Sequence, residues 1–361
     1  MNKNIQPSRP PKLPAILNPK IFFNELADAE NTLGLLEGLQ NSLQNPGLLI
    51  APLSAKEATV SSKIEGTQST ASDVFIYEAS GVERKVDTAE VANYRKAILY
   101  AIEELSSKKP FSLHLIKRLH QQLLTGVRHK GAIGQFRNKQ VYIAEKQSDP
   151  IEKAIYIPPI HLLLVDYMEN YLNYLNTSSD RTLVQMAVSH YQFEAVHPFE
   201  DGNGRIGRLL IPLLLFHKSK LTLPIIYMSG YFEENRDQYI SALHLVDTQG
   251  AYDKWIAFFC RAVASQTKET IQLINRINKL HEEVMQKVGN LKSPYIYKVV
   301  DAIFKYPVFT KSRIVQETKA TYLTASKLID VLKSHGYVNE LSYRDGRNKL
   351  FVFGHLLSII R

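Results

Sequence analysis

A chain of 361 residues, 45% hydrophobic and 22% charged, has enough apolar surface for a large core and for more than one domain. Its single cysteine, Cys260, excludes a disulfide framework and a cysteine-rich metal site, and fits a reducing cytoplasm. The formal charge of +9 is uneven: from Ser293 onward there are 11 Lys+Arg against 5 Asp+Glu. That concentration points to an acidic partner for the last segment, with nucleic acid the first candidate.

The first twenty residues hold five prolines and no continuous apolar run, so they read as an extended arm and not as a signal peptide. Next comes Ser61-Ser-Lys-Ile-Glu65-Gly66, where Ser61 and Glu65 share one face if the segment is helical and Gly66 stands where a helix can stop. Helix-period apolar residues dominate from Glu30 to Glu283, notably in Val91 to Leu105, Leu113 to Leu124, Ile160 to Leu175 and Thr182 to Val196. The body is therefore expected to be mainly α. Between Gly134 and Pro159, Gln-Val-Tyr-Ile-Ala and Ala-Ile-Tyr-Ile-Pro-Pro are two β-favouring runs around a polar loop, which predicts a small β-hairpin flap over 134–159. Pro198 ends the helix before it. A second helix is expected to begin near Arg205, and its stretch Leu209 to Phe216 is apolar on nearly every face but far short of the ~20 residues of a membrane span. Cys260, in the apolar run from Trp255, reads as a packing residue.

From Tyr295 the pattern changes. A helix through Phe304, a short one from about Lys311 and a third from about Leu323 to Ser334 precede two strands, Tyr337 to Tyr343 and Lys349 to Phe353, joined at the turn pair Asp345-Gly346. Three helices and a hairpin in this order predict a winged helix-turn-helix over 293–361. Lys319, Lys327, Lys333, Arg344 and Arg347 are its candidate phosphate contacts, with a protein-binding or dimer-forming role as the alternative to DNA binding.

Between the two buried helices lies His197-Pro-Phe-Glu-Asp-Gly-Asn-Gly-Arg-Ile-Gly-Arg208, a combination no packing need explains. Gly202 and Gly204 permit positive φ and bare backbone N–H groups, which suits a phosphate nest at the N-terminus of the next helix. Arg205 and Arg208, three apart, are neighbours on its first turn, with planar forks suited to phosphate. Asp201 supplies a hard oxygen for the Mg²⁺ that accompanies a polyphosphate. His197 titrates nearest neutrality and is the candidate general base.

These twelve residues match the Fic signature His-x-Phe-x-Asp/Glu-Gly-Asn-Gly-Arg-x-x-Arg at all eight fixed positions, and the chain resembles that family over roughly residues 20 to 270. The resemblance implies a Fic-type helical core in 111–285, preceded by a 1–110 region that carries an inhibitory helix at about 55–66. It implies AMP transfer from ATP-Mg²⁺ to a Ser, Thr or Tyr hydroxyl of a target protein, or of the chain itself. On this reading His197 deprotonates the hydroxyl, Asp201 holds Mg²⁺, Asn203 and the N–H groups of Gly202 and Gly204 hold the α-phosphate, Arg205 and Arg208 bind the outer phosphates, and Phe199 anchors the loop. Tyr231, Asn235 and Tyr239 resemble residues lining the adenine pocket, and the flap resembles the segment that aligns the target. Ser61 and Glu65 match the inhibitory motif, whose glutamate pairs with the second arginine, here Arg208. Gly204 stands where phosphate-transferring relatives carry a lysine. The alternatives are removal of AMP by the same site, or a DNA-binding regulator that uses the domain as a nucleotide sensor. The reading also admits a homodimer.

Overall fold

A computed structural model describes residues 6–43, 45–144, 149–289, 291–345 and 348–361. It is mainly helical. In chain order the helices are α1 (Phe23–Ser42), α2 (Ile50–Ile64), α3 (Ala71–Ser80), α4 (Thr88–Ser106) and α5 (Leu113–Leu124). After the flap segment come α6 (Leu164–Thr177), α7 (Thr182–Val196), α8 (Asn203–His217), α9 (Ser229–Glu234), α10 (Arg236–Gln249) and α11 (Tyr252–Val288). The remainder is α12 (Ile296–Lys305), β1 (Val308–Thr310), α13 (Lys311–Thr318), α14 (Tyr322–Ser334), β2 (Asn339–Asp345), β3 (Asn348–Val352) and α15 (Gly354–Ile359).

Packing divides the chain into two units, 1–37 with 96–267, and 38–95 with 268–361. In the first, α7 is the central element because it is buried on nearly every face, from Leu183 to Val196. α6 and α8 pack on α7, and α5 packs on α6 and α8. The indole Nε1 of Trp255 on α11 donates to Ala187 O at 2.7 Å, so the polar edge of a fully buried Trp is satisfied by α7 itself. α5 starts where the Ser112 hydroxyl accepts from Leu115 N, and its Leu115, Leu119 and Leu123 repeat every fourth residue toward the core. The N-terminal arm is tied down: Leu13 exchanges two hydrogen bonds with Asn170 on α6, at 2.8 and 2.9 Å, and Ser8 N donates to Ile157 O at 2.8 Å.

The second unit contains α2 and the C-terminal elements together. α12 packs on α2, and α3 packs on β1 and β2. Residues 38–95 thus cluster with the C-terminal segment. The sheet is antiparallel in the order β1-β3-β2, with Phe309 opposite Phe351 and Asn339 opposite Val352. Two elements of this segment, β1 and α15, are too short to leave a periodic signal and were not expected. Gly346 and Arg347 of the expected turn lie outside the described residues, as do the side chains of 343–348.

Candidate active site

His197 follows α7 directly, in the left-handed conformation (φ 50°, ψ 61°), and its N–H donates to Phe193 O at 3.0 Å. For a residue with a Cβ this conformation costs roughly 1 to 2 kcal/mol, so surrounding contacts must hold it. Pro198 cannot continue the helix. Phe199 is fully buried, a contribution of about 2 to 3 kcal/mol, and its ring stacks on His120 of α5 at 3.8 Å and 7°. The carboxamide of Asn203 closes the loop from both sides: Oδ1 accepts from Phe199 N at 2.8 Å and Nδ2 donates to Phe199 O at 2.9 Å. That side chain braces the loop.

Gly202 is left-handed at φ 76°, and a Cβ there would stand 3.1 Å from Leu123 Cδ2. Its turn brings α8 in at Asn203, two residues earlier than the sequence suggested. Gly204 accordingly lies within the first helical turn and is not among the positive-φ glycines, so it contributes by lacking a side chain and not by an unusual backbone. The first-turn N–H groups of α8 have no intrahelical acceptor and carry the positive end of the dipole. Arg205 and Arg208 are both buried on α8, and Arg205 Nη2 lies 3.2 Å from Asp201 Oδ1. Asp201 Oδ2 accepts from Lys130 N at 3.2 Å, and its carboxylate remains partly exposed. A partly exposed single carboxylate is the kind of donor that suits Mg²⁺, which is commonly held by one or two carboxylates plus substrate phosphates; among the described residues no cluster of three His, Cys, Asp or Glu forms a metal cage of its own.

Other residues that shape the loop carried no motif. His120 is buried; Gly134 N donates to its Nδ1 at 2.8 Å, so Nε2 bears the proton and donates to Asp201 O at 3.1 Å. Burial pushes its pKa down to about 4, which keeps the ring neutral in this double role. Arg137 donates from Nε to His197 O at 2.9 Å, and burial lowers its guanidinium to about 10. Lys139 Nζ meets Glu200 Oε2 at 2.7 Å, and the Tyr156 hydroxyl donates to Ala195 O at 2.9 Å. Gly207, a position the signature leaves open, lets Glu194 of α7 lie flat on α8, since a Cβ would meet Glu194 Oε1 at 2.3 Å.

The flap departs from the expected hairpin. Among its described residues the two legs share one β-bridge, Ile143 with Tyr156, with Ile143 N to Tyr156 O at 2.8 Å; 145–148 lie outside the described residues. Pro150, Pro158 and Pro159 have no N–H to offer a ladder, and the legs bond instead to Arg137, Ser8 and the end of α7. The nucleotide-pocket candidates are held by packing. Tyr239 is buried, stacked on Phe232 at 4.4 Å with its hydroxyl 2.9 Å from His190 Nε2. Asn235 Nδ2 donates to Tyr231 O at 3.0 Å, joining α9 to α10, and Tyr231 meets Phe258 edge-on at 5.7 Å. In the other unit Ser61 is buried on α2, Glu65 is the exposed C-cap of that helix, and Gly66 follows at φ 101°. Cys260 is fully buried, its thiol pushed up to about 12, as a packing residue requires.

Residues 23–103 match the model of the Fic/DOC family N-terminal region, and residues 110–215 match that of the Fic/DOC family. The chain is similar to a protein adenylyltransferase Fic of Drosophila persimilis, 27% identical over 57% of this chain and 39% of the relative. It is also similar to a probable protein adenylyltransferase of Aquifex aeolicus, 26% identical over 53% of this chain and 52% of the relative. It thus spans about two fifths to one half of these relatives. A Fic family protein from Desulfovibrio desulfuricans shares the fold at TM-score 0.60, with 19% identity, 97% of this chain and 98% of the other covered. Helices α5 to α7 and the N-terminal part of α8, which set His197 against the N-terminus of α8, fall within the matched segments, and the chain belongs to the Fic/DOC family.

Proposed function

We propose that the chain is a protein adenylyltransferase that moves AMP from ATP to a side-chain hydroxyl of a target protein, and to itself, under self-inhibition by Glu65. The observation that carries this reading is the abutment of His197, at the carbonyl end of α7, with the bare N-terminus of α8 across the Phe199–Asn203 brace. First-turn N–H groups of α8, with those of Gly202 and Gly204, hold the α-phosphate. Arg205 and Arg208 bind the outer phosphates. His197 takes the proton of the acceptor hydroxyl, whose oxygen attacks the α-phosphorus in line as diphosphate leaves. Mg²⁺ bound at Asp201 would neutralise phosphate charge. Tyr142, Ile143 and Ile155 are exposed on the flap, a surface that suits alignment of a target segment by strand addition. Tyr231 and Asn235, half-buried at the α9–α10 junction, are the proposed adenine-side residues, with Tyr239 supporting them from the core.

Glu65 stands at the C-terminal end of α2, where a carboxylate opposes the helix dipole by a few tenths to 1 kcal/mol. The stability of α2 does not account for it, and the match of Ser61 and Glu65 to the inhibitory motif is what supports the self-inhibition. Separate incubations with α-labelled and γ-labelled ATP test the reaction: label on protein from the α position alone is expected, and label from the γ position would replace AMP transfer with phosphate transfer.

A second reading concerns 293–361. We propose that α12, β1, α13, α14, β2 and β3, with their three-stranded antiparallel sheet, form a winged helix that binds duplex DNA through the exposed Lys319 and Lys327. Lys333 is engaged with Glu340 at 3.6 Å. Charge reversal at Lys319 and Lys327 is expected to weaken binding of all duplexes alike and to flatten its salt dependence. No complex at low salt would leave this unit a protein-binding module.

A further inference from the structure

We infer that Arg137 is a positioning residue of this site, which fastens both legs of the flap to the carbonyl end of α7 and so fixes His197 and the flap edge relative to each other. The inference rests on the AMP-transfer reading for its consequence, but its geometry is independent of it. From the first leg, Arg137 Nη1 donates to Lys139 O at 3.1 Å. On the returning leg Nη2 donates to Pro159 O at 2.5 Å. The same guanidinium donates from Nε to His197 O at 2.9 Å and from Nη2 to Val196 O at 3.4 Å, while Arg137 N donates to Pro198 O at 2.9 Å. Five carbonyls on three stretches of chain converge on one residue that is only 3% exposed.

An ion pair does not explain this burial. No carboxylate is among the hydrogen-bond partners of Arg137 among the described residues, and desolvation drives its guanidinium down to about 10. A buried cation without a counter-ion is destabilising by itself, and here that is offset by carbonyl oxygens at the negative end of α7. What the cost secures is geometry. A planar fork with donors on three nitrogens can reach three separated segments at once, whereas an ammonium presents its donors at one point. His197 is held in a left-handed conformation at the place where this fork grips its carbonyl. A side chain acting only as core filler would have no need of the carbonyls of both flap legs.

The test uses the full chain with Arg137→Lys, which keeps the charge, and Arg137→Gln, which keeps donors without it, so failure of one to fold leaves the other. Amide hydrogen exchange, without nucleotide, is expected to quicken about tenfold or more in the described flap legs and in 196–200 while the middle of α6 and α7 keeps its protection. In a Glu65→Gly background, ATP-Mg²⁺ affinity should stay within about twofold and α-label transfer fall about a hundredfold, the scale of a small misplacement of reacting groups. Unchanged exchange in those segments, or a uniform rise throughout the unit, overturns the proposal. So does transfer equal to that of the Glu65→Gly parent. A parent that transfers no label at all overturns the AMP-transfer reading instead, and the exchange pattern, which needs no turnover, still decides the role of Arg137.

Discussion

Residue identity matters most where one atom has one task. His197 lies at the end of α7 and outside the Gly202–Arg205 turn, and in the proposed reaction its imidazole acts on the acceptor and not on the nucleotide. His197→Ala is therefore expected to leave ATP-Mg²⁺ affinity within about threefold of wild type while lowering label transfer by about a hundredfold or more, the scale of general-base catalysis. Calorimetric titration beside initial-rate labelling checks it, and a parallel loss of affinity would move His197 into the nucleotide site. The motif residues were legible one by one because each chemical type is rare in such company. Their partners were not: Asn203 shows from sequence as a phosphate-loop residue, and only the fold puts its carboxamide on Phe199 N and O. The same holds for His120, an unremarkable histidine on an amphipathic helix until Gly134 N and Asp201 O are found at its two nitrogens.

At the scale of elements, α7 and α8 were readable from apolar period and proline punctuation, and the boundary error at α8 has a local cause in the left-handed Gly202. The flap was readable as a departure from helix but not as a singly bridged loop, because beyond the Ile143–Tyr156 bridge its backbone bonds to the side chains of Arg137 and Gln140 and to Ser8. α2 carries the regulatory prediction. Glu65 is the C-cap and not an interior residue of that helix, so Glu65→Gly removes an unfavourable dipole contact and no helical turn. The expected outcome is an unchanged melting midpoint and faster AMP incorporation, about a hundredfold if one alignment barrier of ~2.7 kcal/mol is lifted. A single variant with unchanged or slower incorporation would make Glu65 a structural or water-orienting residue.

The whole molecule adds a pH dependence that no motif predicts. His120 and His190 are held neutral by burial, at about 4 and about 3. The unfolded chain takes up protons at both near 6.5, so between that pH and about 4 the unfolded state binds more protons and stability falls as pH falls. For His120 the gap sets a scale of roughly 3 kcal/mol. Asp247, whose carboxyl burial raises, works in the opposite sense at the acid end. The urea midpoint is expected to drop from pH 6.5 to 4.5 while the two imidazole resonances stay unprotonated; titration of either ring near 6.5 in the folded chain would remove this source.

The sequence by itself determined the family and the helical class, because those reside in local pattern: apolar period, proline and glycine punctuation, and eight fixed residues within twelve. Tertiary structure alone decided what holds that site in place and how the chain divides. Arg137 reaches His197 across sixty residues, and residues 38–95 join the C-terminal elements through the packing of α12 on α2 and of α3 on β1 and β2. Contacts of that kind are set by which buried surfaces meet and which backbone carbonyls are left without a ladder, and neither quantity is written in any short window of sequence.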